Sequence, residues 1–331
     1  MRIMTRIAKV LLLISVLASG SVAFAAVKRA NLTQLQAEIR SAISMDVQSS
    51  QLTPSFAELA TGSARFSGSK IARSCNPLFH PELTSNPTPC MFGADQGPVW
   101  VLWGDSNAGS WIPAVDRAAR MHGAQLAVFI FPGCRSRFED NREPNSEVRL
   151  KACQDWHASL PAAMGRLHPS LIMSAELATG FSGKRRDIQK LADSWKSAFE
   201  TISASTTSVT RVLLEPTPNG LGNGSTRNFP ACLSVAENKS VLACSPKISK
   251  NLWAAGSYWA YLQAYKESAI RSSAILIPIS QLFCSTIPGE VQDCPVNVAN
   301  YNVFVDQDHV SIAYMEYISS AFNRMLISRG I

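Results

Sequence analysis

The sequence predicts an α/β fold in which a parallel sheet carries helices on both of its faces. From residue 98 onward, short apolar runs alternate with longer amphipathic stretches, which is the order of elements typical of repeated strand–helix–strand units. Right-handed crossovers between parallel strands would then place the helices on both faces. The chain has 331 residues, of which 46% are hydrophobic, so it can bury one sizeable core and is not extensively disordered.

Five apolar runs predict the strands, because strands that are buried on both faces are continuously apolar. These runs lie at 99–103, 126–131, 171–173, 212–214 and 274–277. Amphipathic stretches between and after them predict helices at 110–122, 150–167, 187–202, 253–272 and 311–328. Pro161 is expected to interrupt the second of these helices, because proline lacks the backbone N–H that a helix needs.

The first 25 residues have the layout of a secretory signal peptide. Arg2, Arg6 and Lys9 precede a short apolar run, and Ala23-Phe24-Ala25 has the small-x-small pattern of a cleavage site. An uncleaved membrane anchor is the alternative, although the apolar run is short for a membrane span. Without these three basic residues the formal charge falls from +7 to +4. Long basic runs interleaved with aromatic residues are missing from the sequence, so no nucleic-acid partner is expected.

Residues 26–70 are predicted to form an N-terminal helical arm that packs on the main domain or precedes it. Apolar residues recur at helical spacing over 31–45, and Asn31 is a candidate N-cap. A Ser-, Pro- and Cys-rich segment then leads up to residue 97. The main domain is expected to span residues 71–331.

Eight cysteines behind an export signal predict a set of disulfides. The sequence has no Cys-x-x-Cys motif and its histidines do not cluster with the cysteines, so a zinc site is not expected. The cysteines fall into four neighbouring couples along the chain. The predicted bridges are Cys75–Cys90, Cys134–Cys153, Cys232–Cys244 and Cys284–Cys294.

One serine lies where the first predicted strand turns into a helix. The strand ends in Gly104-Asp105-Ser106, and sites in open α/β sheets form at the carboxyl ends of the strands. Gly104 permits a tight turn, and Asp105 can cap the helix. The helix N-terminus favours a developing oxyanion. The sequence therefore predicts Ser106 as a nucleophile, with a plain helix cap as the alternative.

His309 is the histidine best placed to act as the base for this serine. It follows the last predicted strand and precedes the last predicted helix, so it is expected at the same end of the sheet as Ser106. Asp306, three residues earlier, can orient the imidazole and fix its tautomer. A surface histidine is the alternative. The shared placement favours a triad of Ser106, His309 and Asp306.

Gly104-Asp105-Ser106 and Asp306-x-x-His309 resemble the first and last blocks of the SGNH hydrolase superfamily, the GDSL-type esterases and acetyltransferases. The chain is more closely similar to the C-terminal SGNH domain of bacterial acyltransferase-3 proteins, which act on cell-envelope polysaccharides. This similarity covers about residues 50–331. The matching segments are Leu52-Thr53-Pro54, Cys75, Cys90-Met91-Phe92-Gly93, Val101-Leu102-Trp103-Gly104-Asp105-Ser106, Gly133-Cys134, Cys153-x-x-Trp156, Leu282-Phe283-Cys284, Cys294 and Asp306 to Ser311.

The resemblance implies a flavodoxin-like three-layer α/β/α sandwich with a mostly parallel five-stranded sheet. It also implies an oxyanion hole formed by the backbone amides of Ser106 and Gly133, for which an ordinary turn glycine at Gly133 is the alternative. The implied protein is an exported O-acyl esterase or O-acyltransferase, secreted or periplasmic, that acts on cell-envelope polysaccharide without a metal or organic cofactor. Its expected partners are an acylated glycan or acyl donor and a separate membrane acyltransferase.

Three features depart from the family pattern. Asn107 stands where the closer family usually has His, and the third strand runs Ser174-Ala175-Glu176-Leu177, without the Asn that the superfamily uses in its oxyanion hole. Ser174 is a candidate replacement, and an ordinary strand-end hydroxyl is the simpler interpretation. The membrane acyltransferase domain is absent from the sequence, so a free-standing version is expected. Losing one oxyanion donor costs about 2.7–4 kcal/mol, which leaves a catalytically weak glycan-binding or scaffold module as the alternative function.

Overall fold

The computed structural model describes ten segments of the chain. The predicted signal peptide at 1–25 and the start of the helix predicted at 253–272 lie outside them. Among the described residues, no helix combines the length and the apolar character that crossing a membrane requires. The described segments are 29–62, 64–65, 73–138, 147–177, 185–206, 208–219, 228–235, 240–248, 258–285 and 292–331.

A six-stranded sheet forms the middle layer of the fold. Its strands are β1 (Cys90–Gly93), β2 (Val99–Gly104), β3 (Gln125–Ile130), β4 (Leu171–Ala175), β5 (Thr210–Leu214) and β6 (Ile275–Ile277). They lie in the order β1–β3–β2–β4–β5–β6. All neighbours are parallel except β1, which pairs antiparallel with β3 at the edge.

The five predicted strands are therefore all present and mutually parallel, and their order is that of a flavodoxin-like sheet. The predicted fold class is confirmed. The sheet has one strand more than predicted, because Cys90-Met91-Phe92-Gly93 lies in the Cys- and Pro-rich segment and has no apolar run of its own. It becomes a strand by completing the free edge of β3, where Cys90 lies opposite Val128.

Helices cover both faces of the sheet. They are α1 (Leu32–Met45), α2 (Phe56–Thr61), α3 (Ser106–Met121), α4 (Glu147–Gly165), α5 (Arg185–Ser203), α6 (Phe229–Val235), α7 (Tyr258–Ser272) and α8 (Ile312–Ser328). Trp100 and Leu102 of β2 point into the core shared with α3, α8 and α1. Val101 and Trp103 point into the core shared with α4, α5 and α7. This alternation explains why β2 is apolar at every position.

Helix α4 continues through Pro161, so the predicted interruption is wrong. Proline removes one backbone hydrogen bond, but the residues around it anchor the helix to the core. Trp156, Leu160 and Met164 are all at most 1% exposed. Their burial outweighs the loss of a single hydrogen bond.

The four predicted disulfides are all present. No described cysteine is free. The bridge between Cys134 and Cys153 ties the loop after β3 to helix α4. The bridge between Cys75 and Cys90 holds the additional strand β1.

The N-terminal arm packs along helix α8 and the segment before it. Asn31 caps α1 as predicted, and its side chain accepts the Gln34 N–H at 2.9 Å. The Ala30 N–H donates to the Tyr317 carbonyl of α8 at 3.0 Å. Further along, the Asn302 N–H donates to the Thr53 carbonyl, also at 3.0 Å. The arm is therefore attached to the same C-terminal part of the chain that carries the Asp306-x-x-His309 motif.

Candidate active site

Ser106 begins helix α3 on a turn that requires glycine at its start. A Cβ at Gly104 would lie 2.1 Å from the Ala175 carbonyl oxygen and 2.8 Å from Ser136 Oγ, so no larger residue fits between these segments. The close approach brings the ends of β2 and β4 and the loop after β3 together. The half-buried Ser106 hydroxyl consequently lies at the carboxyl edge of the sheet, as predicted.

Asp105 ties this turn to its surroundings. Its Oδ1 accepts the Asn107 N–H at 2.8 Å as the N-cap of α3, and its Oδ2 accepts the Leu177 N–H at 2.9 Å. The pKa of the Asp105 carboxyl is raised to about 7, chiefly because the group is buried and in part because of the nearby Glu176 charge, while the two accepted N–H groups act in the opposite direction. Both carboxyl oxygens are engaged with backbone donors, so Asp105 shapes the turn rather than facing a substrate.

His309 lies in a loop whose backbone is held by hydrogen bonds to the side chain of Asp306. Asp306 Oδ1 accepts the backbone N–H groups of Asp308 at 3.0 Å and His309 at 2.9 Å. The Val305 N–H donates to the His309 carbonyl at 2.9 Å, which closes the loop. Ser311 then caps helix α8, its hydroxyl accepting the Tyr314 N–H. The imidazole is thus carried on a fixed turn between the short strand Tyr301–Asn302 and α8.

The structure brings Ser106, His309 and Asp306 together in one chain of hydrogen-bonding contacts. Ser106 Oγ lies 2.8 Å from His309 Nε2. His309 Nδ1 lies 3.0 Å from Asp306 Oδ2 and 3.1 Å from Asp306 Oδ1. Only 8% of each of His309 and Asp306 is exposed. In this arrangement Nε2 can accept the serine proton while the carboxylate holds the proton on Nδ1.

A second carboxylate, Asp308, also faces the imidazole. Its Oδ1 lies 2.8 Å from His309 Nδ1. Within the described part of the chain this oxygen has no hydrogen-bond partner, because the ring N–H is not directed at it. We therefore attribute the hydrogen bond to Asp306 and only an electrostatic influence to Asp308. The sequence motif identified Asp306 but gave no sign that Asp308 would lie this close.

Gly133 lies in the loop that follows β3, beside the Ser106 turn. Its φ of +73° is a left-handed conformation that favours glycine. Arg149 of α4 donates to the Pro132 carbonyl at 2.6 Å, and the disulfide from Cys134 holds the next residue. The Phe131 N–H donates to the Gly104 carbonyl at 3.0 Å, which links this loop to the end of β2. Gly133 is therefore held at the predicted edge of the sheet.

Glu176, directly after β4, is a residue that sequence reasoning did not identify as part of the site. It follows β4 and is 2% exposed. Its Oε2 accepts the Ser136 N–H at 3.1 Å, and its Oε1 pairs with Arg137 Nε at 2.6 Å. Tyr265 donates to the same Oε1 at 3.4 Å. Glu176 thus anchors the loop that carries Gly133. A charged residue directly after an apolar strand was the signal that could have identified it.

Ser174 does not face the site as a free donor. Its hydroxyl is fully buried and donates to the Trp103 carbonyl at 3.0 Å. A hydroxyl has a single proton, so this contact leaves none for an oxyanion. The simpler interpretation of Ser174, a strand-end hydroxyl, is the one that the contacts favour.

Asn107, next to Ser106, is 2% exposed, and its Nδ2 has no hydrogen-bond partner among the described residues.

Arg65 of the N-terminal arm also reaches this site. Its Nη2 forms an ion pair with Asp306 Oδ2. This side chain was not among the residues predicted from the sequence, because nothing in the composition of the arm distinguishes Arg65 from its other basic residues. The carboxylate of Asp306 therefore lies between an imidazole and a guanidinium.

Two groups of described residues lie at the spacing of metal ligands. In one, both cysteines are joined in a disulfide and offer no thiolate. In the other, the ring N–H of His309 is directed at Asp306 and the guanidinium of Arg65 contacts the same carboxylate. In each group, two of the three residues are thus already engaged with partners within the chain. The groups are Cys134, Cys153 and His157, and Asp306, Asp308 and His309.

Comparison with protein families identifies the domain. A family model described as "SGNH domain (fused to AT3 domains)" matches residues 74–324, which is about three quarters of the chain. The chain belongs to this family. The resemblance based on the Gly-Asp-Ser and Asp-x-x-His motifs is thereby confirmed. At the level of the family, this SGNH domain falls in the class of esterases and acyltransferases.

The fold of this SGNH domain is also found in a solved structure. The lipopolysaccharide acetyltransferase periplasmic domain of Salmonella ser. Paratyphi A has a TM-score of 0.54 and 12% identity, over 82% of this chain and 94% of that chain. A protein described as a GDSL-like lipase from Parabacteroides merdae has a TM-score of 0.38 and 9% identity, over 72% of this chain and 96% of that chain. At these identities, only the first likeness supports an argument, and it concerns the fold. A comparison with curated proteins gives no significant match.

Proposed function

We propose that this SGNH domain is an exported O-acyl esterase or O-acyltransferase that acts on cell-envelope polysaccharide through Ser106, His309 and Asp306. The continuous hydrogen-bonding chain carries the proposal, with 2.8 Å between Ser106 Oγ and His309 Nε2 and 3.0 Å between His309 Nδ1 and Asp306 Oδ2. Both distances lie in the range that a base needs to activate a serine and that an acid needs to orient the base. A helix cap at Ser106 would not require either contact.

Acylation begins when Ser106 Oγ attacks the carbonyl carbon of an acyl ester and His309 Nε2 takes the hydroxyl proton. Asp306 stays ionised and stabilises the imidazolium that forms. The backbone amides of Ser106 and Gly133 donate to the tetrahedral oxyanion, and the N-terminus of α3 adds the positive end of its dipole. The intermediate then collapses, the alcohol leaves with the proton from His309, and the acyl group remains on Ser106.

Deacylation repeats these steps with a different nucleophile. Water or a sugar hydroxyl attacks the acyl carbon and gives its proton to His309. Collapse of the second tetrahedral intermediate returns this proton to Ser106 Oγ and releases a free acid or an acylated glycan. A bound sugar hydroxyl competes with water when it is well oriented, since orientation contributes about 7–11 kcal/mol in favourable cases.

The cell envelope is the proposed location. The signal-peptide layout of residues 1–25 and four disulfides fit an oxidising compartment. The matching family consists of SGNH domains that are fused to AT3 domains, which fits a membrane acyltransferase as partner and acyl donor. An acylated glycan or a soluble acyl ester is the alternative donor.

A catalytically weak glycan-binding or scaffold module is the second candidate. It is favoured by the third strand, where Glu176 holds the neighbouring loop and the Ser174 hydroxyl is committed to the sheet. Neither side chain supplies the donor that the superfamily takes from its third block. Such a module would bind glycan next to a separate membrane acyltransferase and turn over esters slowly or not at all.

Turnover of an acetyl ester and labelling by a fluorophosphonate separate these candidates. We expect the wild-type protein to be labelled, and Ser106→Ala and His309→Ala each to lose nearly all turnover. Ser110→Ala, one helical turn after Ser106, and His168→Asn, on the exposed surface, are the matched controls and should stay active. Full activity of Ser106→Ala would refute the enzyme proposal. Adding glycan fragments to the assay distinguishes transfer from hydrolysis, because transfer yields acetylated glycan and hydrolysis yields free acetate.

A further inference from the structure

We infer that Arg65, which the N-terminal arm supplies, is a positioning residue of the triad, so that the active site is complete only with the arm docked. The inference rests on the proposed roles of Ser106, His309 and Asp306. The family match begins at residue 74, so Arg65 lies outside the segment that defines the SGNH domain. An SGNH domain without this arm would lack the residue.

The contact itself is made at the oxygen that orients the base. Arg65 Nη2 pairs with Asp306 Oδ2, the same oxygen that lies 3.0 Å from His309 Nδ1. The other oxygen, Oδ1, accepts the backbone N–H groups of Asp308 and His309. The side chain of Asp306 is 11% exposed and that of Arg65 is 37% exposed. Asp306 is therefore enclosed by donors, and Arg65 covers its outer side.

The arm is held in register with the loop that it contacts. The carbonyl of Ala64, the residue before Arg65, accepts the Ile312 N–H at 3.0 Å, and Ile312 is the first residue of α8. Earlier in the arm, Asn302 Nδ2 donates to the Pro54 carbonyl at 2.8 Å. Hydrogen bonds to backbone carbonyls of the arm thus fix it on both sides of the turn that carries Asp306. The position of the guanidinium follows from this docking.

The charges around His309 explain what Arg65 does. Asp306 and Asp308 of its own loop face the imidazole, and Asp105 interacts with it from the Ser106 turn. Each of these carboxyl groups, when ionised, favours a protonated imidazole, which cannot accept the serine proton. Arg65 pairs with Asp306 and opposes this effect.

The experiment compares pH profiles of the full chain. The readouts are kcat/KM for an acetyl ester and the rate of fluorophosphonate labelling, for the wild type, Arg65→Gln, Arg65→Lys and the control Arg40→Gln. Arg40 is an exposed residue of α1 in the same arm and carries the same charge. We expect Arg65→Gln to move the acid limb of both profiles to higher pH by about one unit, the lower end for a neighbouring charge.

Arg65→Lys should restore the wild-type limb because it keeps the charge, and Arg40→Gln should have the wild-type profile. The alkaline plateau of Arg65→Gln should fall by less than about tenfold, since two backbone N–H groups still hold Asp306. A wild-type profile for Arg65→Gln would overturn the inference, as would an equal loss at every pH that lysine does not rescue. Thermal unfolding checks each variant, and loss of folding in both Arg65→Gln and Arg65→Met would assign Arg65 a purely structural role. An unlabelled wild type or an active Ser106→Ala would instead refute the proposed function.

Discussion

Replacement of Asp306 by Asn tests which carboxylate orients the base. Asp306 Oδ1 accepts two backbone N–H groups, at 2.9 and 3.0 Å, so the amide NH₂ of an asparagine cannot take this place. The NH₂ must then occupy the position of Oδ2, which lies 3.0 Å from His309 Nδ1. There it donates to Nδ1 and forces the ring proton onto Nε2, 2.8 Å from Ser106 Oγ. In this tautomer the histidine cannot accept the serine proton.

The expected loss follows from this change of tautomer. The corresponding change in serine proteases lowers kcat by about 10⁴, which corresponds to about 5 kcal/mol of transition-state stabilisation. Replacing the serine of such a triad costs more, about 10⁶ in kcat. We therefore expect Asp306→Asn to be strongly impaired but more active than Ser106→Ala. The NH₂ of the asparagine would also face the guanidinium of Arg65, which adds a repulsive pair of donors.

The matched control is Asp308→Asn. Asp308 Oδ1 lies 2.8 Å from the same ring nitrogen but forms no hydrogen bond with it. Its replacement should change kcat/KM by less than about tenfold, because only a charge is lost. The assay is kcat/KM for an acetyl ester at the pH optimum of each variant. A larger loss in Asp308→Asn than in Asp306→Asn, or less than tenfold loss in Asp306→Asn, would refute the assignment.

Two further predictions concern the buried polar groups beside the site. Glu176→Gln should lower the free energy of unfolding by about 3 kcal/mol, because it removes the carboxylate charge that pairs with the buried Arg137 guanidinium, and it should also slow ester turnover. Glu215→Gln, directly after β5, is the control that should keep its turnover, because Glu215 accepts hydrogen bonds from Ser280 and not from the loop after β3; equal turnover in both variants would contradict the role of Glu176. Burial lowers the pKa of His157 to about 4, and its Nε2 donates to the Arg135 carbonyl. His157 takes up a proton near pH 6.5 in the unfolded chain but only near pH 4 in the folded chain. The free energy of unfolding should therefore fall by up to about 3 kcal/mol as the pH is lowered from 6.5 to 4. Urea unfolding across this range should show that slope in the wild type and not in His157→Gln, and equal slopes would exclude this cause.

Patterns that are local in the sequence determined much of this protein. Strand β2 is apolar at every position because both of its faces are buried, and that periodicity was readable without a structure. The cysteines were assigned correctly because each pairs with its neighbour along the chain. Ser106 and His309 were placed at one end of the sheet by topology alone, since parallel strands share their carboxyl edge.

Only the tertiary structure decided the features that depend on distant partners. Strand β1 exists because β3 offers it a free edge, and α4 passes through Pro161 because its neighbours are buried. Glu176 was recognisable as a charged residue after a strand, but its partners lie in another loop. Arg65 reaches Asp306 from the opposite end of the sequence. A single side chain makes such a contact, and no periodic or spacing signal in the sequence accompanies it. The sequence by itself therefore determined the order of the elements and three residues of the candidate site, whereas tertiary packing decided which charges surround them.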